Sequence, residues 1–314
     1  ILLDLYINNQ KRGFLNIDIE KNSKVKKTIP FKNLENGHVN GKIKIENDDF
    51  KYDNTLFFSY EIKETINILA ISENNLNNSI KAVYNDPMFN LDIFRENQIN
   101  FEKIENYDLI ILDNLKSVQK GLSAFIKKSL KKGKNIIIFP NENIEIESYN
   151  FLLKELKGDQ IENWVNKKID VKKINYDHLI FENVFTQKEK NIELPNTKGY
   201  YKLKTNNLNQ RKNILSFLNE EPFIIEYSNY KGNFYFCSTP LNLNITNFTK
   251  HAMFLPIMYN SSFNIQSPKL YETIDHNLNI SCPECKKQST FFLKKDDMFE
   301  IVLENKIINN TSFL

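Results

Sequence analysis

Glycine is scarce in this chain, with 8 in 314 residues. Phosphate-cradling loops need glycines at fixed spacing so that backbone amides can close on the anion. Neither a Gly-x-Gly-x-x-Gly nor a Walker pattern occurs, which excludes nucleotide binding by those routes. Cysteine appears three times, too seldom for a disulfide scaffold. No apolar run approaches the ~18 residues of a membrane-spanning helix. Neither charge sign dominates: 42 Lys and Arg stand against 39 Asp and Glu, for a net +3. That balance gives no electrostatic case for nucleic acid, which calls for a clustered basic face. No His, Asp and Glu set stands at metal-ligand spacing, and no cofactor is expected. Alanine is also sparse while Asn, Lys and Ile are abundant, which reads as AT-rich coding rather than mechanism. The chain opens on Ile1 with no leader pattern, so it is expected to be an excised or processed fragment whose anchor lies outside it.

What is present suits a folded protein: 41% hydrophobic and 26% charged residues, over a length that allows two or three domains. Residues 1–63 read as β. ILLDLYINN, GFLNIDIE, KVKKTIPF, GKIKIEN and NTLFFSYEI are separated by Asn/Gly/Lys turns about every ten residues, which predicts a small Ig-like antiparallel sandwich. From Thr65 the pattern changes. Residues 66–71, 108–112 and 135–139 are continuous apolar runs, as in strands buried on both faces. Helices are expected between them: about 75–84, one capped by Ser117 with Val118, Leu122, Phe125, Ile126 and Leu130 on one face, and 146–156. Lys127, Lys128, Lys131 and Lys132 complement the dipole of the second helix ahead of a Gly133 C-cap, and read as a solvated helix end rather than an anion site. The alternation of strand and helix implies parallel strands with right-handed crossovers.

Further on, two apolar runs flank Lys231-Gly232 and predict an antiparallel hairpin ending before Pro240. An amphipathic helix is expected from about 246, carrying His251, Phe254 and Leu255. Residues 268–314 turn β-like again and read as a second small β-domain, expected to stop before it is complete. The α/β unit resembles the flavodoxin-like layout of class I glutamine amidotransferases. The fold class is therefore α/β plus β, divided as a sandwich at 1–63, an amidotransferase-like domain at 64–265 and a β-domain at 266–314.

Amidotransferase chemistry needs a cysteine on a strand-to-helix elbow, with amides nearby to hold the oxyanion. The matching stretch is Phe139-Pro140-Asn141-Glu142-Asn143. It offers no Cys, Ser or Thr, lacks flanking glycines, and loses an amide donor at Pro140, so that activity is rejected. Glu142 could act as a general base at the sheet's carboxyl edge, where such folds bind ligands, but reads more readily as an exposed loop acid. Cys237, inside FYFCST, reads as a buried structural thiol. His178 and His251 could each serve as acid or base. No Ser or Cys has a foreseeable bond to either, and His251 is expected to pack against apolar neighbours with a bond to a loop carbonyl. Cys282-Pro283-Glu284-Cys285 could be half a zinc ribbon, with His276 as a third ligand. A redox motif would be followed by a helix, whereas a strand follows here. A turn disulfide, free thiols and a metal site all stay open.

Several stretches occur in a telling order. They are Asp53-Asn54 before Leu56-Phe57-Phe58-Ser59, then Asp177-His178-Leu179-Ile180-Phe181 with Val184-Phe185, then the hairpin, Ser238-Thr239-Pro240-Leu241, and Asn247-Phe248 with His251, Phe254 and Pro256. Over about residues 1–275 this resembles the BatA-type membrane proteins of Bacteroidetes, with Leu179 where that family has proline. The resemblance implies an aerotolerance-related, envelope-facing region in the periplasm. Two membrane helices, and often a von Willebrand A-like domain, would precede it. Its partners would be other envelope proteins, with the membrane reached only through segments outside this chain.

The expected function is a non-catalytic interaction or scaffold module. The rival is a small-ligand-binding or hydrolase domain at the sheet's carboxyl edge using Glu142, His178 or His251. A metal-dependent sensor through Cys282 and Cys285 is a third class. A scaffold should expose an apolar patch, whereas an enzyme should show a pocket with converging titratable groups.

Overall fold

The computed structural model describes residues 1–32, 36–46, 54–99, 107–182, 184–185, 192–205 and 210–263, together with the backbone of five short strands beyond residue 263. Two compact units emerge. One comprises Ile1–Lys24, Asn40–Ser59 and Lys269–Leu314, and the other Val25–Val39 and Tyr60–Pro268.

The first sheet has four strands: β1 (Leu2–Ile7), β2 (Gln10–Asn16), β3 (Gly37–Ile45) and β4 (Thr55–Ile62), in the order β2-β1-β3-β4. β1 pairs antiparallel with both β2 and β3. The β1–β2 turn is Asn8-Asn9, both at positive φ (47° and 64°). Two such residues make the turn whose twist matches a hairpin, and Asn tolerates that region best after Gly. The expected strand within KVKKTIPF does not form. Residues 24–32 carry no regular structure and are exposed apart from Ile29, so no apolar face is available to dock them.

The second unit holds β5 (Ile66–Ser72), α1 (Asn78–Val83), β6 (Phe89–Phe94), β7 (Leu109–Leu115), α2 (Lys120–Lys131), β8 (Asn135–Pro140), α3 (Ile146–Glu155), β9 (Gln160–Val165), β10 (Ile169–Ile174), β11 (Asn196–Thr197), β12 (Tyr200–Lys204), β13 (Arg211–Phe217), β14 (Pro222–Tyr227), β15 (Phe234–Cys237) and α4 (Phe254–Ser261). Nine of these strands form one sheet, ordered β11-β10-β13-β14-β15-β8-β7-β5-β6. From β15 to β6 the pairing is parallel, and from β11 to β15 it is antiparallel. β9 and β12 make a separate antiparallel pair. The last strands, β16 (Ser281–Cys282), β17 (Phe291–Lys295), β18 (Phe299–Leu303), β19 (Lys306–Ile308) and β20 (Thr311–Phe313), form two small antiparallel sheets. The fold class is thus α/β plus β.

Both faces of the parallel strands are buried, which explains their unbroken apolar runs. Ile68, Ala70, Ile111 and Ile137 face the core shared with Ile80, Ile257 and Met258. Leu69, Ile71, Ile110 and Ile138 face Leu122, Ile126, Leu152 and Leu153 of α2 and α3.

Two helix starts differ from the sequence expectation. Ser117 does not cap α2. The N-cap is Gln119, which makes no side-chain cap bond. The amides ahead of the helix are met from elsewhere, Gln119 N by Glu96 Oε1 (2.8 Å) and Val118 N by Ser148 Oγ (3.0 Å). The helix expected from 246 is broken into a single 3-10 turn, Phe248–Lys250, and then α4. Proline lacks an amide and clashes with the carbonyl four residues back, so Pro256 sits near the start of α4 and stops an unbroken helix from running through 252. His251 therefore lies in extended backbone (φ −88°, ψ 144°) ahead of α4.

The hairpin glycine is needed for close approach. A Cβ on Gly232 would lie 2.0 Å from the Lys134 carbonyl oxygen, a backbone atom. Gly232 N also donates to Leu130 O at 2.9 Å, tying the hairpin to the end of α2. Gly232→Ala must force these backbones apart, and chemical denaturation is expected to show a loss of about 2–4 kcal/mol.

Candidate functional site

The carboxyl ends of β5, β7, β8 and β15 bring several polar groups together. Beyond Pro140, Asn141 Nδ2 donates to Asn114 Oδ1 (2.9 Å) and Asn114 O (3.3 Å), and Asn141 Oδ1 accepts from Asn143 N (2.9 Å). Asn114 takes φ 60° at the end of β7. The Tyr201 hydroxyl from β12 reaches Asn141 O (2.9 Å) and Glu142 O (2.8 Å) and accepts from Ile144 N (3.2 Å). Glu142 Oε1 accepts from Asn242 Nδ2. The turn after β8 is therefore laced shut by amide side chains and one tyrosine.

Asp113, one residue before Asn114, is buried and accepts from Asn77 N through Oδ2 (2.9 Å). Asn77 caps α1 through Ser79 N (2.9 Å) and donates to Leu241 O (2.9 Å). Burial pushes the Asp113 carboxyl up to about 6, against the pull of the Asn77 amide. Asp113 shows in the sequence only as a lone acid closing the apolar run LIIL.

Hollows open along this edge among the described residues. One of about 290 Å³ is lined by Glu142, Ile144, Glu145, Trp164 and Tyr201, with Lys116 at one side. A second, of about 240 Å³, shares Lys116 and adds Glu73, Arg95, Glu96 and Gln119. In it, burial raises the Glu96 carboxyl above its ordinary value; the Gln119 amide opposes this and the Glu73 charge adds to it. A third, of about 570 Å³, lies by Asn77, Ser79, Lys81 and Leu243.

His178 lies elsewhere. It is buried, and its Nδ1 accepts from Ile180 N (3.2 Å), capping the 3-10 turn Leu179–Phe181. Its Nε2 faces Glu226 Oε2 at 3.4 Å, an ion-pair distance without hydrogen-bond alignment. Burial alone would raise the Glu226 carboxyl. The adjoining His178, with Ser228 and Tyr235, outweighs it and holds the group below its ordinary range. Glu226 is level with Tyr235 and through it with Ile137, midway along β8. This buried pair is thus set back from the turn that carries Glu142.

His251 donates through Nε2 to Glu193 O (2.8 Å), while Nδ1 accepts from Met253 N (3.2 Å). Glu142, His178 and His251 share no hydrogen bond and no bonding partner among the described residues. Cys237 is buried on β15, and burial pushes its thiol up to about 12. Cys282 falls on β16, while Cys285 and His276 lie outside the described residues. No three His, Cys, Asp or Glu side chains among the described residues are placed to hold a metal. No helix among them is long and apolar enough to cross a membrane.

No family model and no curated protein matches the chain. Solved structures resemble it loosely. One described as ThuA-like, from Bacteroides uniformis ATCC 8492, is 13% identical over 66% of this chain and 95% of its own, with a TM-score of 0.47. One described as a GMP synthase component, from Thermoplasma acidophilum, is 10% identical over 65% and 96%, with a TM-score of 0.43. A cold-adapted β-galactosidase from Rahnella sp. R3 is 10% identical over 63% of this chain and 31% of its own, with a TM-score of 0.43. The first two are likenesses to the amidotransferase-like type of fold, and the reading of the site rests on its own geometry.

Two outcomes follow from the buried groups. The Asp113 carboxyl rises from 3.8 to about 6 on folding, so its stabilising contribution is complete below the unfolded value and is lost as pH climbs through the folded one. Denaturation of Asp113→Asn beside the parent chain should show the variant gaining up to about 3 kcal/mol at neutral pH, a gain that closes near pH 4. Cys237 should resist iodoacetamide in the native chain and react once denaturant is added, as read by peptide mass mapping.

Proposed function

We propose that this chain is an interaction module of a membrane-anchored envelope protein of the BatA-like kind, working in the periplasm by binding rather than by turnover. One observation carries the reading. The polar side chains at the sheet's carboxyl edge are tied to one another: Asn141 to Asn114, Glu142 to Asn242, and Asp113 to the Asn77 cap. Groups held this way give a rigid, preorganised surface, and none of them pairs a nucleophile with a base. The cellular setting comes from the order of sequence motifs between Asp53 and Pro256. Partners would be other envelope proteins.

A second reading, a ligand-binding or hydrolytic domain at the same edge, is favoured by Asp113. A buried carboxyl raised to about 6, bonded to the backbone amide of Asn77, a residue that lines a hollow, is the kind of group found at functional sites. Turnover assays separate the two. Glutamine, chromogenic esters and chromogenic glycosides should be consumed no faster with the chain than without it, while cross-linking in cells should join it to envelope proteins. Turnover that vanishes in Asp113→Asn would overturn the binding module and establish the second reading.

A further inference from the structure

We infer that the hollow between Trp164 and the Glu142–Glu145 turn receives an arginine side chain of a partner protein. This rests on the interaction-module reading and gives that module a specific contact.

Trp164 is the chain's single tryptophan. It stands on β9, partly exposed, and is fixed in orientation. Gly199 lies so close that a Cβ there would be 2.3 Å from the indole Cζ2, and the Tyr201 ring meets it edge-on at 4.8 Å and 63°. The opposite wall is equally fixed, because the Tyr201 hydroxyl grips Asn141, Glu142 and Ile144 of the turn. A hollow between two such walls needs little ordering when a ligand enters.

Its chemistry is anionic and aromatic. Glu145 is exposed and, although it is the N-cap of α3, makes no capping bond. Among the described residues Glu142 gives Asn242 only one of its two oxygens. Among the described residues the one cation that lines it, Lys116, lies 3.7 Å from Glu73 and so faces the neighbouring hollow. Two carboxylates beside an indole favour a cation, and a flat guanidinium meets both demands: it stacks on the ring and bonds carboxylates through its fork of N–H groups. Ile144 and Ile146 line the same space and can cover the methylene stem. About 290 Å³ accommodates that side chain.

Trp164 makes the test direct, because red-edge excitation reads it without the tyrosines. The chain is titrated with acetyl-Gly-Arg-Gly-amide and with the versions carrying Lys or Gln in place of Arg. The Arg peptide should change the emission saturably in the millimolar range, with the Lys peptide several-fold weaker and the Gln peptide silent. Raising salt from about 0.05 M to about 0.5 M should weaken binding several-fold. Glu145→Gln should weaken it by about 3- to 10-fold with an unchanged melting temperature, and Glu142→Gln provides a second, independent variant. No saturable change, an equal response to the Gln peptide, or a response only to a neutral sugar such as glucose would each overturn the inference. If the peptide fails while cross-linking to envelope proteins persists, only the arginine contact falls. If cross-linking is lost as well, or turnover appears, the module reading falls with it.

Discussion

Everything in the larger unit depends on burying both faces of one run of parallel strands. Ile68, Ile111, Ile136 and Ile138 have no exposed surface, and neither do Leu69, Ile71 and Leu112. Each such side chain contributes on the order of 1.5–3 kcal/mol over its exposed state. Strands this apolar leave polar groups only at their ends. The chain must therefore leave the sheet through turns whose backbone groups need partners, and water alone cannot supply them beside a dry core.

Glycine-poor sequence decides how those turns are satisfied. In many α/β folds glycine lets the backbone close on a ligand. Here the turns are built from asparagine, whose short amide both accepts and donates. Asn77 caps α1 and holds Leu241, Asn141 bridges to Asn114, Asn135 donates to Ser261 O and Phe263 O, and Asn233 N donates to Asn135. Asn114 also takes the positive φ that glycine would otherwise supply. At the carboxyl edge the bonds of Asn77 and Asn141 hold the turns in place, while those of Asn135 and Asn233 do the same at the opposite, amino end of β8 and β15.

The elements were legible because burial writes itself into sequence. Unbroken runs of isoleucine and leucine marked β5, β7 and β8, the 3.6-residue spacing of Leu122, Phe125 and Ile126 marked α2, and Lys231-Gly232 marked the β14–β15 hairpin. Helix starts were less legible. Glu96, 23 residues from Gln119 in sequence, meets the amide ahead of α2, and no local pattern announces a partner that distant. The break before α4 was written in Pro256, but the apolar period across it suggested a longer helix.

Site residues were legible by type and not by position. A histidine or glutamate in a motif announces possible chemistry, but its role depends on which strand end and which face it occupies. Alternation along β14 puts Glu226 on the same sheet face as Ile224, where His178 also lies, while Ile225 and Tyr227 point to the other core. The pair is therefore enclosed by packed aromatic side chains such as Phe181 and Tyr235. A buried histidine–carboxylate pair in that setting costs desolvation and is weak evidence for stability, but losing either partner leaves buried polar atoms of the other unmet. Its physical effect is to fix how the turn at Leu179–Phe181 seats on the hairpin. Asn260 Nδ2, bonded to Ile180 O at 2.7 Å, extends the same constraint to α4. His178 thus links the antiparallel hairpin, through Glu226, to the turn that Asn260 of α4 also holds.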